Sequence, residues 1–225
     1  MSIQPAKLRP ARQRRSQRSL ERIVEALDAL IEEKTFEEIT VQEVCTRAGV
    51  GIGTFYDRVG KKEDLLEHLR QRFYAGVRSF IDEAFTPERF ADHSLEQTLR
   101  LNAREMVALH RQRPGAIRAT IVEARRRAAF GEHTRRLNAE LLERASSVWL
   151  SKRDELRPGP PPELLVRQAF LMAAGYLREA LIWEDLWPAE PGAPTGEAAD
   201  VAHAEALATM LIGFLIGPQS EESAT

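Results

Sequence analysis

The stretch from Thr40 to Lys62, T-V-Q-E-V-C-T-R-A-G-V-G-I-G-T-F-Y-D-R-V-G-K-K, limits the possible folds more tightly than any other part of the chain. Thr40 and Glu43 stand in the T-x-x-E order of a capping box, in which a hydroxyl and a carboxylate satisfy two N–H groups at a helix start. Val41, Val44, Cys45 and Ala48 follow at helical spacing and supply an inward face. Gly49 stands where that helix must stop and the chain must turn, in a positive-φ conformation that glycine adopts cheaply. Val50 can fill the core at the turn. A second helix, about Ile52 to Val59, buries Phe55 and Val59, which lie four apart. It offers Gly53, Thr54, Tyr56, Asp57 and Arg58 to solvent. Two short helices joined in this way make a helix-turn-helix, whose second helix enters the major groove of duplex DNA.

The run A-G-V-x-x-G-T-F-Y-x-x-V-x-x-K-E-D-L-L, Ala48 to Leu66, resembles the DNA-binding signature of the TetR/AcrR family of transcriptional regulators. The resemblance extends upstream over Leu20 to Val41 and covers about fifty residues; beyond it the chain matches only in being helical and of fitting length. The sequence departs from the family pattern at Thr35, where glycine is usual, at Val59, where an aromatic is usual, and at Gly60-Lys61, where Ser or Pro-Ser is usual. Gly51 replaces a frequent serine and removes one possible cap or phosphate contact. The resemblance implies an all-α fold: a three-helix head joined by a long helix to a helical body that binds a ligand and dimerises.

Charge distribution agrees with a protein that meets polyphosphate at one end. The whole chain is nearly neutral, at −2, yet residues 1–62 carry twelve Lys/Arg against nine Asp/Glu, while the rest is net acidic. Residues 1–18 hold Lys7, Arg9, Arg12, Arg14, Arg15 and Arg18 with no acid, and by composition read as an unstructured basic arm. Arg14, Arg15 and Arg18 are its candidate DNA contacts, along phosphates or in the minor groove. The head is expected over residues 19–66, the body over 67–217, and a polar tail over 218–225.

Helical periodicity accounts for the remainder. Ser19 to Lys34 is amphipathic, with Leu20, Ile23, Val24, Leu27, Leu30 and Ile31 inward. A long helix from about Lys61 carries Leu65, Leu66, Leu69, Phe73, Val77, Phe80 and Ile81 in near-heptad steps. Ser94-Leu-Glu-Gln97 is a second capping box, and Arg113-Pro114-Gly115 breaks the helix it opens. Further helices are expected over about 116–130, 133–152, from Pro162, and over 198–216. The cluster Arg125-Arg126-Arg127 lies among Glu123, Glu132 and Glu140 and reads as a solvated helix face.

Affinity for DNA comes mainly from phosphates and specificity from base edges. Lys62 is placed for a phosphate, as its match in the family is. Tyr56 can use its hydroxyl on a phosphate or stack on a sugar. Thr54 can bond a phosphate or meet a thymine methyl, Gly53 admits close backbone approach, and Arg58 suits a guanine. Ile52 lies on the same short helix. Thr40 and Gln42, at the start of the preceding helix, can touch bases or backbone, and Arg47 can reach a phosphate. The last two helices are apolar on most sides. Small residues Ala173, Ala174, Gly175, Ala206 and Ala208 permit close helix approach, so a homodimer is expected through Phe170, Ala174, Leu177, Leu207, Leu211 and Phe214. The resemblance implies the same pairing. A body this large also suggests a small-molecule effector of unknown chemistry, with Met106, His110, Trp149, Phe170 and Trp183 as candidate pocket residues.

Other classes are disfavoured. No nucleophile elbow, phosphate loop, metal-ligand spacing or carboxylate pair appears, so no catalytic or metal site and no cofactor is expected. The five histidines are scattered at 68, 93, 110, 133 and 203. The single cysteine, Cys45, excludes an intramolecular disulfide and suits a reducing compartment. There is no secretory segment and no long uncharged apolar run, so the cytoplasm is expected, without membrane contact. The expected function is a sequence-specific transcriptional regulator, a repressor by family default, bound as a dimer to a palindromic operator. The rival is a helical adaptor or ligand-binding protein that no longer binds DNA.

Overall fold

The computed structural model describes residues 9–188 and 191–217, with side chains from residue 16 onward. The described residues are helical and contain no strand. The helices are α1 (Arg9–Glu33), α2 (Val41–Ala48), α3 (Ile52–Val59), α4 (Leu65–Ala84), α5 (Leu95–Gln112), α6 (Pro114–Arg126), α7 (Ala128–Leu150), α8 (Pro162–Leu177) and α9 (Glu197–Leu215). The chain divides into two compact units, one running to Ala75 and the other starting at Gly76, so the division falls inside α4.

The first unit is built on α1. Ile23, Val24, Ala26, Leu27, Leu30 and Ile31 are all buried, at the 3- and 4-residue steps of an apolar stripe. Against this stripe lie Val44, Cys45 and Ala48 of α2, Phe55 and Val59 of α3, and Leu65, Leu66 and Leu69 at the start of α4. The basic arm differs from expectation. Helix α1 begins at Arg9, ten residues before the predicted start. Hydrophobic periodicity is blind to this segment, since it has no core face, but Arg, Gln and Ala are good helix formers and extend a helix already nucleated downstream. Residues 1–8, the side chains of Arg14 and Arg15, and the tail 218–225 lie outside the described residues.

In the second unit α5 packs mainly on α9, and α7 on both α6 and α8. Its core gathers Phe90, Leu95, Leu99, Met106, Trp149, Leu165, Leu177, Leu207, Leu211 and Leu215. Ser94 and Gln97 form the expected box: Gln97 N–H donates to Ser94 Oγ at 3.2 Å and Ser94 N–H to Gln97 Oε1 at 3.0 Å. The α6–α7 boundary was misplaced. The break falls at Arg127, which is extended (φ −123°, ψ 116°), and not near Gly131. Gly131 lies inside α7 because α6 passes close by: a Cβ there would stand 2.7 Å from the carbonyl oxygen of Ala124. The neighbouring arginines are tied down, Arg127 Nε donating at 2.7 Å to Glu123, whose carboxylate is buried.

Beyond α8 the chain continues as a π-helical turn, Arg178–Ile182. Its last carbonyl, that of Ile182, accepts from Arg118 Nη2 at 3.0 Å, so a side chain of α6 satisfies a helix end that would otherwise be orphaned. Helix α9 qualifies a reading from the sequence. It has 19 residues and a mean hydropathy of 1.4, long and apolar enough to cross a membrane by length and composition. Its Leu207, Leu211 and Leu215 are buried in the unit's core, which accounts for one side of that apolarity.

Candidate nucleic-acid interface

The site is assembled from two short helices fixed at their ends. Thr40 is the N-cap of α2, with extended backbone (φ −97°, ψ 154°). Glu43 N–H donates to Thr40 Oγ1 at 3.2 Å, and Thr40 N–H donates to Glu43 Oε2 at 2.8 Å. Lys34 of the connection after α1 bonds the other carboxylate oxygen of Glu43. These donors, the Lys34 ammonium first and the Thr40 amide next, hold the Glu43 carboxyl down at about 2, so it stays ionised at any ordinary pH. Gly49 ends α2 with φ 61°. Its N–H donates to Thr46 O at 3.2 Å and Val50 N–H to Cys45 O at 3.0 Å, the paired bonds of a Schellman turn. The chain thus leaves α2 in a determined direction and enters α3 two residues later.

Helix α3 has two faces of opposite character. Phe55 is 0% exposed and Val59 is buried, which sets the roll of the helix. Ile52 is 47% and Tyr56 54% exposed, and Gly53, Asp57 and Arg58 are exposed beside them. Thr54 is half-buried. The Tyr56 ring meets Phe55 edge-on, with centroids 5.4 Å apart, so one edge is held while the hydroxyl end points outward. A Cβ on Gly51 or Gly53 would meet nothing within 4 Å, which leaves the front of α3 flat. Arg58 makes no hydrogen bond or ion pair among the described residues. This is a protruding helix face with an aromatic hydroxyl, a free guanidinium and little bulk, a shape suited to a major groove.

The other expected contacts are partly engaged within the unit. The Thr40 hydroxyl is occupied in the cap. Gln42 is exposed, its amide 3.4 Å from Thr46 Oγ1. Arg47 pairs with Glu33 of α1 at 2.5 Å. Lys62 is half-buried: its ammonium donates to the carbonyl of Glu37 at 3.1 Å and sits 4.6 Å from the centre of the Phe36 ring, and desolvation there lowers its pKa. Lys62 therefore ties the α1–α2 connection to the start of α4. No spacing rule could have shown this, because the two residues of that bond are 25 apart. Arg18 is exposed on α1.

In the second unit the five candidate pocket residues have separate surroundings. Met106 and Trp149 are core, and Phe170 is partly buried against the same cluster. Trp149 Nε1–H donates to Asn102 Oδ1 at 2.9 Å. His110 Nδ1 lies 2.7 Å from the carbonyl of Met106, which can only accept, so Nδ1 carries the proton, and burial lowers its pKa. Trp183 lies under the guanidinium of Arg118 at 5.6 Å. A cleft of about 530 Å³ is lined instead by Arg78, Ile81, Asp82, Glu140, Glu143, Arg144 and Ser147, and none of the five reaches it. Its walls are joined by Arg78–Glu140 at 2.8 Å and Arg144–Asp82 at 3.2 Å.

The expected dimer residues need correction. Leu177, Leu207 and Leu211 are buried in the unit's own core, and Phe170 and Phe214 are half-buried against it; Ala174 is exposed. Both helices are apolar around most of their circumference, so sequence could not say which side faces inward. Packing turns Leu165, Val166, Ala169, Ala173 and Leu177 of α8 to the core and leaves Leu164, Leu171 and Ala174 outside. On α9 the outer side is Val201, Ala202, Ala206, Thr209 and Gly213.

Residues 23–69 match the family described as bacterial regulatory proteins, tetR family. An uncharacterized HTH-type transcriptional regulator of Bacillus subtilis, YxbF, is 30% identical over 73 residues, which is 32% of this chain. The chain spans only 19% of that relative's length. Similar folds cover most of the chain. FadR of Bacillus subtilis, solved in complex with stearoyl-CoA, has a TM-score of 0.62 at 19% identity, covering 89% of this chain and 100% of its own. A putative TetR-family regulator from Mesorhizobium loti has a TM-score of 0.62 at 20% identity, covering 89% and 98%. A tetR-family protein from Rhodococcus RHA1 reaches 0.65 at 15% identity, covering 86% and 96%. With a tetR-type head over residues 23–69 and a body of the same fold as these regulators, the chain belongs among the TetR-family transcriptional regulators.

Proposed function

We propose that the protein represses transcription by binding a roughly palindromic DNA operator as a homodimer, and that a small molecule bound in the helical body controls this binding. The observation that carries the DNA reading is the face of α3: Tyr56 and Arg58 stand free while Phe55 and Val59 anchor the helix from behind. One such helix makes few contacts, and two heads on a two-fold axis supply the affinity one lacks. The outer sides of α8 and α9 suit the pairing. Leu171 is 54% and Val201 57% exposed, and around them Ala174, Ala202, Ala206 and Gly213 allow helices to approach closely. The effector reading is supported by the FadR fold, which holds stearoyl-CoA. A cytoplasmic location goes with this function.

The test is selection of duplexes from a random library, followed by titration of the winner by fluorescence anisotropy. Tyr56→Ala is expected to weaken all duplexes alike. Arg58→Ala should cost about 1–3 kcal/mol on the selected site and relax preference at one base position. Unchanged affinity in both would remove the contact map. Leu171→Glu with Val201→Glu is expected to sediment as a monomer and lose the palindrome's advantage over a half-site; an intact dimer would refute this interface. Long-chain acyl-CoA and free fatty acids, added to the same complex, read out the effector, and retention of DNA with a broad panel of small molecules would count against it.

A further inference from the structure

Most basic side chains of the first unit that could reach DNA are already bonded: Lys34 to Glu43, Arg47 to Glu33, Lys62 to the carbonyl of Glu37, and Arg72 to Asp28. Arg22 is different. It is exposed on α1 and has no ion pair or hydrogen bond among the described residues. Glu21 and Glu25 are near it on the helix, and neither is bonded to it. Its Nη1 atom lies 3.8 Å from where a Cβ would stand on Gly49, so the guanidinium rests beside the turn that joins α2 to α3. That turn is Gly49-Val50-Gly51, and its two glycines leave the cation unscreened. Arg18 lies four residues earlier, one turn up the same side of α1, and is equally exposed. The two are about 6 Å apart along a helix axis that rises 1.5 Å per residue.

We infer that Arg22 and Arg18 are phosphate-binding residues, which grip the DNA strand bordering the groove that α3 enters. This rests on the DNA reading above and names residues on α1 that the recognition motif does not include. A guanidinium offers paired N–H donors to a phosphate and keeps its charge at every working pH. Whatever lies against the start of α3 also meets Arg22, because both flank one short turn. The helical form of residues 9–18 adds to the argument, since it holds Arg18 in register with Arg22 where a loose arm would not.

The test is the salt dependence of duplex binding by the full chain. Arg22→Gln should weaken every duplex, without altering which sequence is preferred. It should also lower the magnitude of the slope of log K against log salt by about 0.9, the value of one phosphate contact. Arg18→Gln should do the same, and the double variant should lose about twice that. Arg22→Lys keeps the charge and should retain the wild-type slope. Melting curves by circular dichroism check that each variant is folded, and the Lys variant keeps the comparison valid if the Gln variant is not. Equal slopes for wild type and the Gln variants overturn the assignment while leaving the DNA reading intact. Failure of the wild type to bind any duplex at low salt would remove the reading itself.

Discussion

Phe55→Ala is expected to unfold the head and abolish DNA binding while leaving the body folded. Phe55 is 0% exposed, and α3 has only eight residues. A helix of that length is not stable alone in water, so its form depends on the side chains it buries. There are two, Phe55 and Val59. Truncating a buried Phe to Ala costs about 3–5 kcal/mol, through lost transfer energy and the cavity left behind. That is a large part of what a small helical unit has in reserve. The measurement is helicity against temperature, together with tryptophan fluorescence. Trp149, Trp183 and Trp187 all lie beyond Gly76, so fluorescence reports the second unit alone. The expected result is an early loss of helicity with an unchanged fluorescence transition. Phe55→Leu, which keeps most of the volume, should retain most of the stability. A Phe55→Ala protein that melts like wild type and still binds its operator would show that α3 is held by something other than this anchor.

Trp149→Ala should be the most damaging single change in the second unit. The indole is fully buried, and its N–H is met by Asn102 Oδ1. Removal leaves a cavity worth about 3–5 kcal/mol. It also strips Asn102 of a bond, and Asn102 Nδ2 already lacks a partner among the described residues. A buried polar group left unsatisfied costs about 1–3 kcal/mol more. The chemistry separates the two contributions. Trp149→Phe should keep much of the packing and lose the bond. Adding Asn102→Leu should recover part of that loss, because removing both partners is cheaper than removing one. Urea denaturation followed by circular dichroism supplies the comparison. A double variant less stable than Trp149→Phe by the full cost of Asn102→Leu alone would mean the two residues are not coupled.

The same physics explains what could be read in advance. The capping box of Thr40 and Glu43, the turn at Gly49 and the anchors Phe55 and Val59 were all legible, because each depends on residues within four or five positions. The engagement of Lys62 with Glu37 and Phe36 was not, nor that of Arg47 with Glu33. Those partners are brought together only when α1 packs across α2 and the start of α4. Arg22 was hidden for a related reason: in sequence it is one arginine among acids, and its meaning comes from lying against Gly49, 27 positions away. The α6–α7 boundary failed differently. Gly131 has the look of a helix breaker, but it sits inside α7, where it makes room for the backbone of α6.

By itself, then, the sequence determined that the chain is all-helical, that a helix-turn-helix lies near its N-terminus, and which side of α3 is free, since periodicity and local capping are sufficient for each. Only the tertiary structure decided which sides of α8 and α9 form the core, placing Leu177, Leu207 and Leu211 inside and Leu171 and Val201 outside. A helix apolar on nearly every side carries no preferred face of its own, and its orientation is settled by the neighbours it packs against.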